Sequence, residues 1–127
     1  MTVWCGTCPW LINAAWVDNR YGLSKAAVSC YTVGLAAQHP NLVINACTPG
    51  FIETDLTRPF CEVAKKTPAE MGMKSIDAGA ECPVYLALDE IPTPKGEGWF
   101  YGSDSVRSPL HAYRSPGDPP FNGVVDL

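Results

Sequence analysis

Between Tyr21 and Gln38 the chain reads YGLSKAAVSCYTVGLAAQ, rich in Ala, Leu and Val and free of proline. Leu23, Ala27, Cys30, Tyr31 and Gly34 recur at the spacing of one helical face, which predicts a helix packed along that stripe. His39-Pro40-Asn41 ends it. Leu42 to Cys47 (LVINAC) is a short, largely apolar run stopped by Thr48-Pro49-Gly50, and it predicts a strand buried on both faces. From Thr57 to Lys74 the chain is polar and punctuated by proline, with Met71 and Met73 near its end, and reads as a long mobile connection. Ser75 then suits the N-cap of a second helix, SIDAGAECPVYLAL, with Asp77 and Glu81 toward its start and a kink expected at Pro83. Gly98 to Gly102 (GWFYG) predicts a short aromatic strand. The segment from Ser108 onward is too rich in Pro and Gly for regular structure. A helix followed at once by a buried strand implies an α/β fold with a parallel sheet.

Length and composition narrow the picture. The chain has 127 residues, the size of one ordinary domain, with 46% hydrophobic and 17% charged residues. A net charge of −4 with scattered Lys and Arg gives no footprint for nucleic acid. No apolar run reaches the roughly 20 residues of a membrane span, and no basic, apolar signal segment opens the chain. A cytoplasmic protein is the expectation.

The six cysteines call for more care. Cys30, Cys47 and Cys82 sit in apolar stretches and read as small buried hydrophobes, while Cys61 stands alone in a polar loop. Cys5 and Cys8, within VWCGTCPW, resemble the dithiol of thioredoxin. Such a site needs a strand that carries the pair onto a helix N-terminus, where the helix dipole lowers the thiol pKa. Four residues before Cys5 are too few for that strand, so the pair reads as adventitious. Two isolated histidines, His39 and His111, offer no close ligand set, and no metal is expected.

Tyr21 and Lys25 carry chemistry. Four residues apart at a helix start, they lie on one face a turn apart. A free phenol has a pKa of about 10, and an ammonium within about 4–6 Å favours its ionised form, which makes the pair a workable general acid for a carbonyl oxygen. The alternative is a half-buried tyrosine beside a solvated lysine. The surrounding segments weigh against that alternative. WVDNRYGLSK, then NACTPGFIETDL, then GAECPVYLAL and GEGWFYGSDSV resemble, in order from about Trp16 to Val106, the short-chain dehydrogenase/reductase family, closest to its carbonyl-reductase-like branch.

The resemblance implies roles. Tyr21 would be the general acid of carbonyl reduction or the base of alcohol oxidation, and Lys25 would hold the nicotinamide ribose. Pro49, Gly50 and Ile52 would line the nicotinamide, the Ile52 backbone meeting its carboxamide, and the Thr54 hydroxyl would lie near the carboxamide and pyrophosphate. The cofactor would be NADP(H), with NAD(H) left open, and the substrate a small carbonyl or alcohol. The fold would be the C-terminal part of a Rossmann-like doubly wound parallel sheet, the N-terminal glycine-rich half being absent, since no G-x-G-x-x-G follows a strand. The family's catalytic serine has no counterpart in residues 1–20, which contain no serine.

Residues 1–15 then form an unmatched leader, residues 16–106 the family-like part and residues 107–127 an irregular tail. The resulting expectation is an oxidoreductase of this family, catalytically incomplete as an isolated chain and open to self-association through an exposed sheet edge. Two alternatives stand beside it: a non-catalytic remnant that needs a partner chain, and a small thiol oxidoreductase using Cys5 and Cys8.

Overall fold

A computed structural model describes residues 20–112 and 114–123. The leader 1–15 and the Cys5–Cys8 pair therefore lie outside the described residues. The element order is α1 (Arg20–Gln38), β1 (Ala46–Cys47), α2 (Arg58–Ala64), α3 (Ile76–Leu88), β2 (Phe100–Tyr101) and β3 (Arg107–Ser108). The fold is α/β with a small mixed sheet in the order β1-β2-β3, an arrangement compatible with part of a Rossmann-like sheet.

β1 and β2 pair in parallel, Ala46 opposite Phe100 and Cys47 opposite Tyr101. The slanted ladder of a parallel pair is visible in Ala46 N donating to Trp99 O (2.9 Å) and Thr48 N to Tyr101 O (3.0 Å). The sheet is not wholly parallel, however: β3 runs antiparallel to β2. The reason is the shortness of the connection. Gly102 N reaches Val106 O at 2.9 Å across a tight turn, and so short a link can only reverse the chain. Ser108, read from sequence as the start of an irregular tail, thus belongs to a strand.

The strand expected over Leu42–Cys47 is confined to Ala46–Cys47, with Leu42 and Val43 exposed. Just before it the Asn45 side chain takes over from the ladder, its Oδ1 accepting from Trp99 N at 3.2 Å.

The helix over Tyr21–Gln38 forms as expected, but its packed face is a different one. Leu23, Ala27 and Tyr31 of the predicted stripe are exposed, and the buried residues are Gly22 and Ala36. The cause is a close approach at Gly98, where an added Cβ would fall 2.6 Å from Val33 Cα and 3.1 Å from Thr32 O. Helix backbone presses there on the backbone just before β2, so small residues face inward and the bulky apolar ones are turned out.

On the other side, α3 is capped as expected, Ser75 Oγ accepting from Ala78 N at 3.2 Å. Its Gly79 sits on Ile52, whose side chain an added Cβ would meet at 2.8 Å. Among the described residues the buried apolar side chains are Ala36, Ile52, Cys82 and Tyr101, the last closing the core through a 2.6 Å hydrogen bond between its hydroxyl and that of Thr93.

The connection from Thr57 to Lys74 is not structureless. α2 lies inside it, with Pro59 in its first turn, and it stops at Lys65 in the left-handed conformation (φ 52°). Next comes a reciprocal cap in which Glu70 accepts from Thr67 N (2.8 Å) and Thr67 Oγ1 from Glu70 N (3.3 Å). These bonds hold the exposed Glu70 carboxyl below its ordinary pKa. Cys61, expected in a loop, is on α2 and meets Met73, sulfur to sulfur, at 3.8 Å. No helix of the described residues is long and apolar enough to cross a membrane.

Candidate active site

Tyr21 and Lys25 stand at the first turns of α1, both exposed, with the Lys25 ammonium 5.2 Å from the centre of the Tyr21 ring. The i, i+4 spacing alone produces this approach, and it is a cation–π contact over the ring. Ser24 Oγ, between them in sequence, donates back to Tyr21 O at 2.7 Å. The phenol is 66% exposed and so open to a ligand.

The second group follows β1. Thr48 ends the ladder, and its Oγ1 accepts from Gly50 N at 3.2 Å. Gly50 has φ +87°, a conformation that favours glycine, and an added Cβ would press on Ser103 at 3.1 Å. Pro49 and Gly50 are exposed at the carboxyl end of a parallel strand, the place where open α/β sheets receive ligands.

Ile52 is only 7% exposed, because its side chain is sealed against Gly79. Its backbone is held by the Thr57 hydroxyl, which donates to Ile52 O at 2.5 Å and accepts from Thr54 N at 2.9 Å. The Thr54 hydroxyl lies 3.2 Å from the same Thr57 oxygen. Thr57, which sequence reasoning missed, therefore sets the shape of the loop that carries Ile52 and Thr54. Its signal was the run Thr-Asp-Leu-Thr, two hydroxyl residues three apart before a proline.

The turn, Ile52 and Thr54 thus form one hydrogen-bonded unit. The Tyr21–Lys25 pair forms another, and among the described residues no hydrogen bond or ring contact joins the two. None of these six residues lines the open groove of about 720 Å3 between β1 and α3, which is walled by Val43, Cys47, Pro83, Leu86 and Ile91. At that groove, burial and the neighbouring Cys82 thiol push the Cys47 thiol up to about 11, so it stays protonated and unreactive at neutral pH. Cys82 is buried as expected, whereas Cys30 and Cys47 are half-buried.

The donor set suits the nicotinamide end of a dinucleotide: an exposed phenol and ammonium, an exposed Pro-Gly turn, and a threonine hydroxyl. A glycine-rich loop for the pyrophosphate is not in this sequence.

No family model and no solved structure matches the chain. Curated relatives do. The chain is 37% identical to carbonyl reductase (NADPH) 3 of Rattus norvegicus over 79 residues, which is 58% of this chain and 24% of that protein. To short-chain dehydrogenase/reductase 1 of Saponaria officinalis it is 36% identical over 88 residues, 69% of this chain and 25% of that one. To (+)-neomenthol dehydrogenase of Arabidopsis thaliana it is 38% identical over 85 residues, 66% and 25% of the two chains. The chain spans about a quarter of the length of the curated relatives it matches. The homologues of this chain are carbonyl reductases and members of the short-chain dehydrogenase/reductase family, the same family that its Tyr-x-x-x-Lys helix and Pro-Gly turn resemble.

Proposed function

We propose that this chain carries the nicotinamide-facing part of a short-chain dehydrogenase/reductase that reduces small carbonyls to alcohols with NADP(H). The observation that carries the reading is the exposed Tyr21–Lys25 pair at the start of α1, followed in the chain by an exposed Pro49–Gly50 turn at the end of a parallel strand. The NADPH in the names of the carbonyl-reductase relatives favours that cofactor over NAD(H).

When bound, the nicotinamide supplies or accepts hydride. The residues of this chain do the rest. The Tyr21 hydroxyl donates its proton to the carbonyl oxygen, or takes one from an alcohol, with the Lys25 ammonium over its ring. Lys25 also holds ribose hydroxyls. Pro49 and Gly50 give the flat ring a surface that backbone can approach, the Ile52 backbone meets the carboxamide, and the Thr54 hydroxyl adds a polar contact. The segment from Thr57 to Lys74, with Phe60, Met71 and Met73, serves as the substrate lid; soft apolar side chains there suit varied apolar carbonyls.

Because these residues address only the nicotinamide end, the isolated chain is catalytically incomplete. Leu23, Val28 and Tyr31 on α1 and Val84 and Leu88 on α3 are exposed. Such surface favours cover by a second piece of sheet or by another copy through the β1 edge that is unpaired among the described residues.

The test joins the chain behind the glycine-rich half of a carbonyl reductase and compares wild type with Tyr21→Phe. Turnover with NADPH is expected to fall by about 10²–10⁴-fold while substrate affinity changes little. Equal turnover in the two proteins would remove Tyr21 from the chemistry.

A further inference from the structure

Lys74 is sixteen positions beyond Arg58 and outside every motif that pointed to the site, yet the fold brings it to the Pro-Gly turn. Its backbone is pinned there from both sides, Lys74 N donating to Phe51 O at 2.8 Å and Lys74 O accepting from Glu53 N at 2.9 Å, which makes an isolated bridge between Ile52 and Lys74. Its ammonium donates to Ser103 Oγ at 3.3 Å. Ser103 in turn lies against Gly50, its Cβ and Oγ each 3.1 Å from where a Gly50 Cβ would stand. The chain of contacts from Lys74 Nζ through Ser103 to Gly50 therefore sets a positive charge beside the turn.

That charge is uncompensated. The ion pairs among the described residues are Arg58 with Glu53 and Asp55, and Arg114 with Asp104. Lys74 is in none of them, and the nearby Glu53 is engaged by Arg58. A lysine ammonium is a compact point charge with three donors, suited to a phosphate oxygen, and Ser103 takes only one of the three. Of the six residues assigned to the nicotinamide end, only Lys25 is charged, and it lies over the Tyr21 ring.

We propose that Lys74, held by Ser103 beside the Pro49–Gly50 turn, contacts the phosphate of the nicotinamide nucleotide. This contact rests on the nicotinamide reading of Tyr21, Lys25 and the turn, and adds a phosphate-binding residue to it. Ser103 is a positioning residue: it fixes the ammonium relative to Gly50.

The experiment titrates the full 127-residue chain at low ionic strength with two probes, reduced nicotinamide mononucleotide and reduced nicotinamide riboside, which differ only in the phosphate. Wild type is expected to bind the mononucleotide about fivefold more tightly than the riboside, the scale of one exposed charge pair. In Lys74→Met that preference should disappear with riboside affinity unchanged, and in Lys74→Arg it should persist. Lys74 is exposed, so both variants are expected to fold, which circular dichroism checks. An unchanged preference in Lys74→Met overturns the phosphate contact and leaves the nicotinamide reading intact. Failure of wild type to bind either probe, or equal binding of the two, likewise overturns the phosphate contact, while the nicotinamide reading is decided separately by the Tyr21→Phe turnover test.

Discussion

The helix α1 and the loop side of the sheet are held in opposite ways. α1 is nineteen residues long, yet its bulky side chains Val28 and Tyr31 are more than half exposed and its close contact with the sheet is backbone on backbone at Gly98. The loops at the carboxyl ends of β1 and β2 bury Ile52 but are otherwise tied by a dense set of polar contacts. Thr57 binds Ile52 and Thr54, Ser103 meets Lys74, and the side chain of Arg114 reaches Asp104, Ser108 Oγ (3.0 Å) and Asp118 O (2.6 Å). One half of the candidate site therefore stands on steric fit and the other on hydrogen bonds, and the two should fail under different insults.

The sharpest break is expected at Arg114, whose side chain is nearly buried against Asp104. Arg114→Met should cost about 3 kcal/mol in a denaturant titration, since a carboxylate is left without its partner. pH probes the same pair. Burial pushes the Asp104 carboxyl up, but the hydrogen bonds from Arg114 and Gly117 N and the Arg114 charge outweigh it, and the group sits below the ordinary carboxylate value. A depressed folded-state pKa contributes stability above the unfolded value of about 3.9 that is lost as pH falls through the lower folded value. Wild type should lose stability in that acid window, and Arg114→Met should lose much less there.

A smaller effect, on the steric side, separates two glycines. Gly98→Ala forces a Cβ into the Val33 backbone and should destabilise by about 1–3 kcal/mol. Gly34, inside α1, has nothing within 4 Å of an added Cβ. Gly34→Ala should therefore stabilise, by about 0.5–1 kcal/mol, through helix propensity alone. Thermal melts of the two variants moving in the same direction would refute the account of how α1 is seated.

The smallest effect concerns Cys47. Its thiol is pushed up to about 11, so the folded protein keeps its proton where an unfolded cysteine, at about 8.5, has lost it. Stability tied to this group is present below the unfolded value and declines as pH rises from about 9 to 11. Alkylation of the native chain at pH 8 should accordingly spare Cys47, as peptide mapping would show.

What the sequence made legible was local. The α1 helix, the Ser75 cap and the parallel approach of LVINAC and GWFYG follow from periodicity, one hydroxyl and two short apolar runs, and all three are present. The Tyr21–Lys25 contact follows from spacing. What remained hidden depends on distant partners or on elements too short for a period. α2 covers two turns, so no stripe announces it, and it is bounded by Pro59 and a left-handed Lys65. The inward face of α1 was misread because the pattern sends bulky apolar residues to the core, whereas Gly98, sixty-odd residues away, admits only a close backbone approach. Lys74 and Ser103 meet across 29 positions, and Lys74 belongs to none of the quoted motifs.

The connectivity of the three-stranded sheet carries a consequence for the order of assembly. Tyr101 and Arg107 pair across a tight turn, whereas Asn45 and Trp99, at the start of the parallel pair, are 54 positions apart. Closing the longer loop costs about 2 kcal/mol more chain entropy, so β2 and β3 join early and β1 docks late. The segment that docks last is the one that delivers Pro49 and Gly50. The exposed Pro49–Gly50 turn is thereby completed only at the final step of folding, when β1 docks.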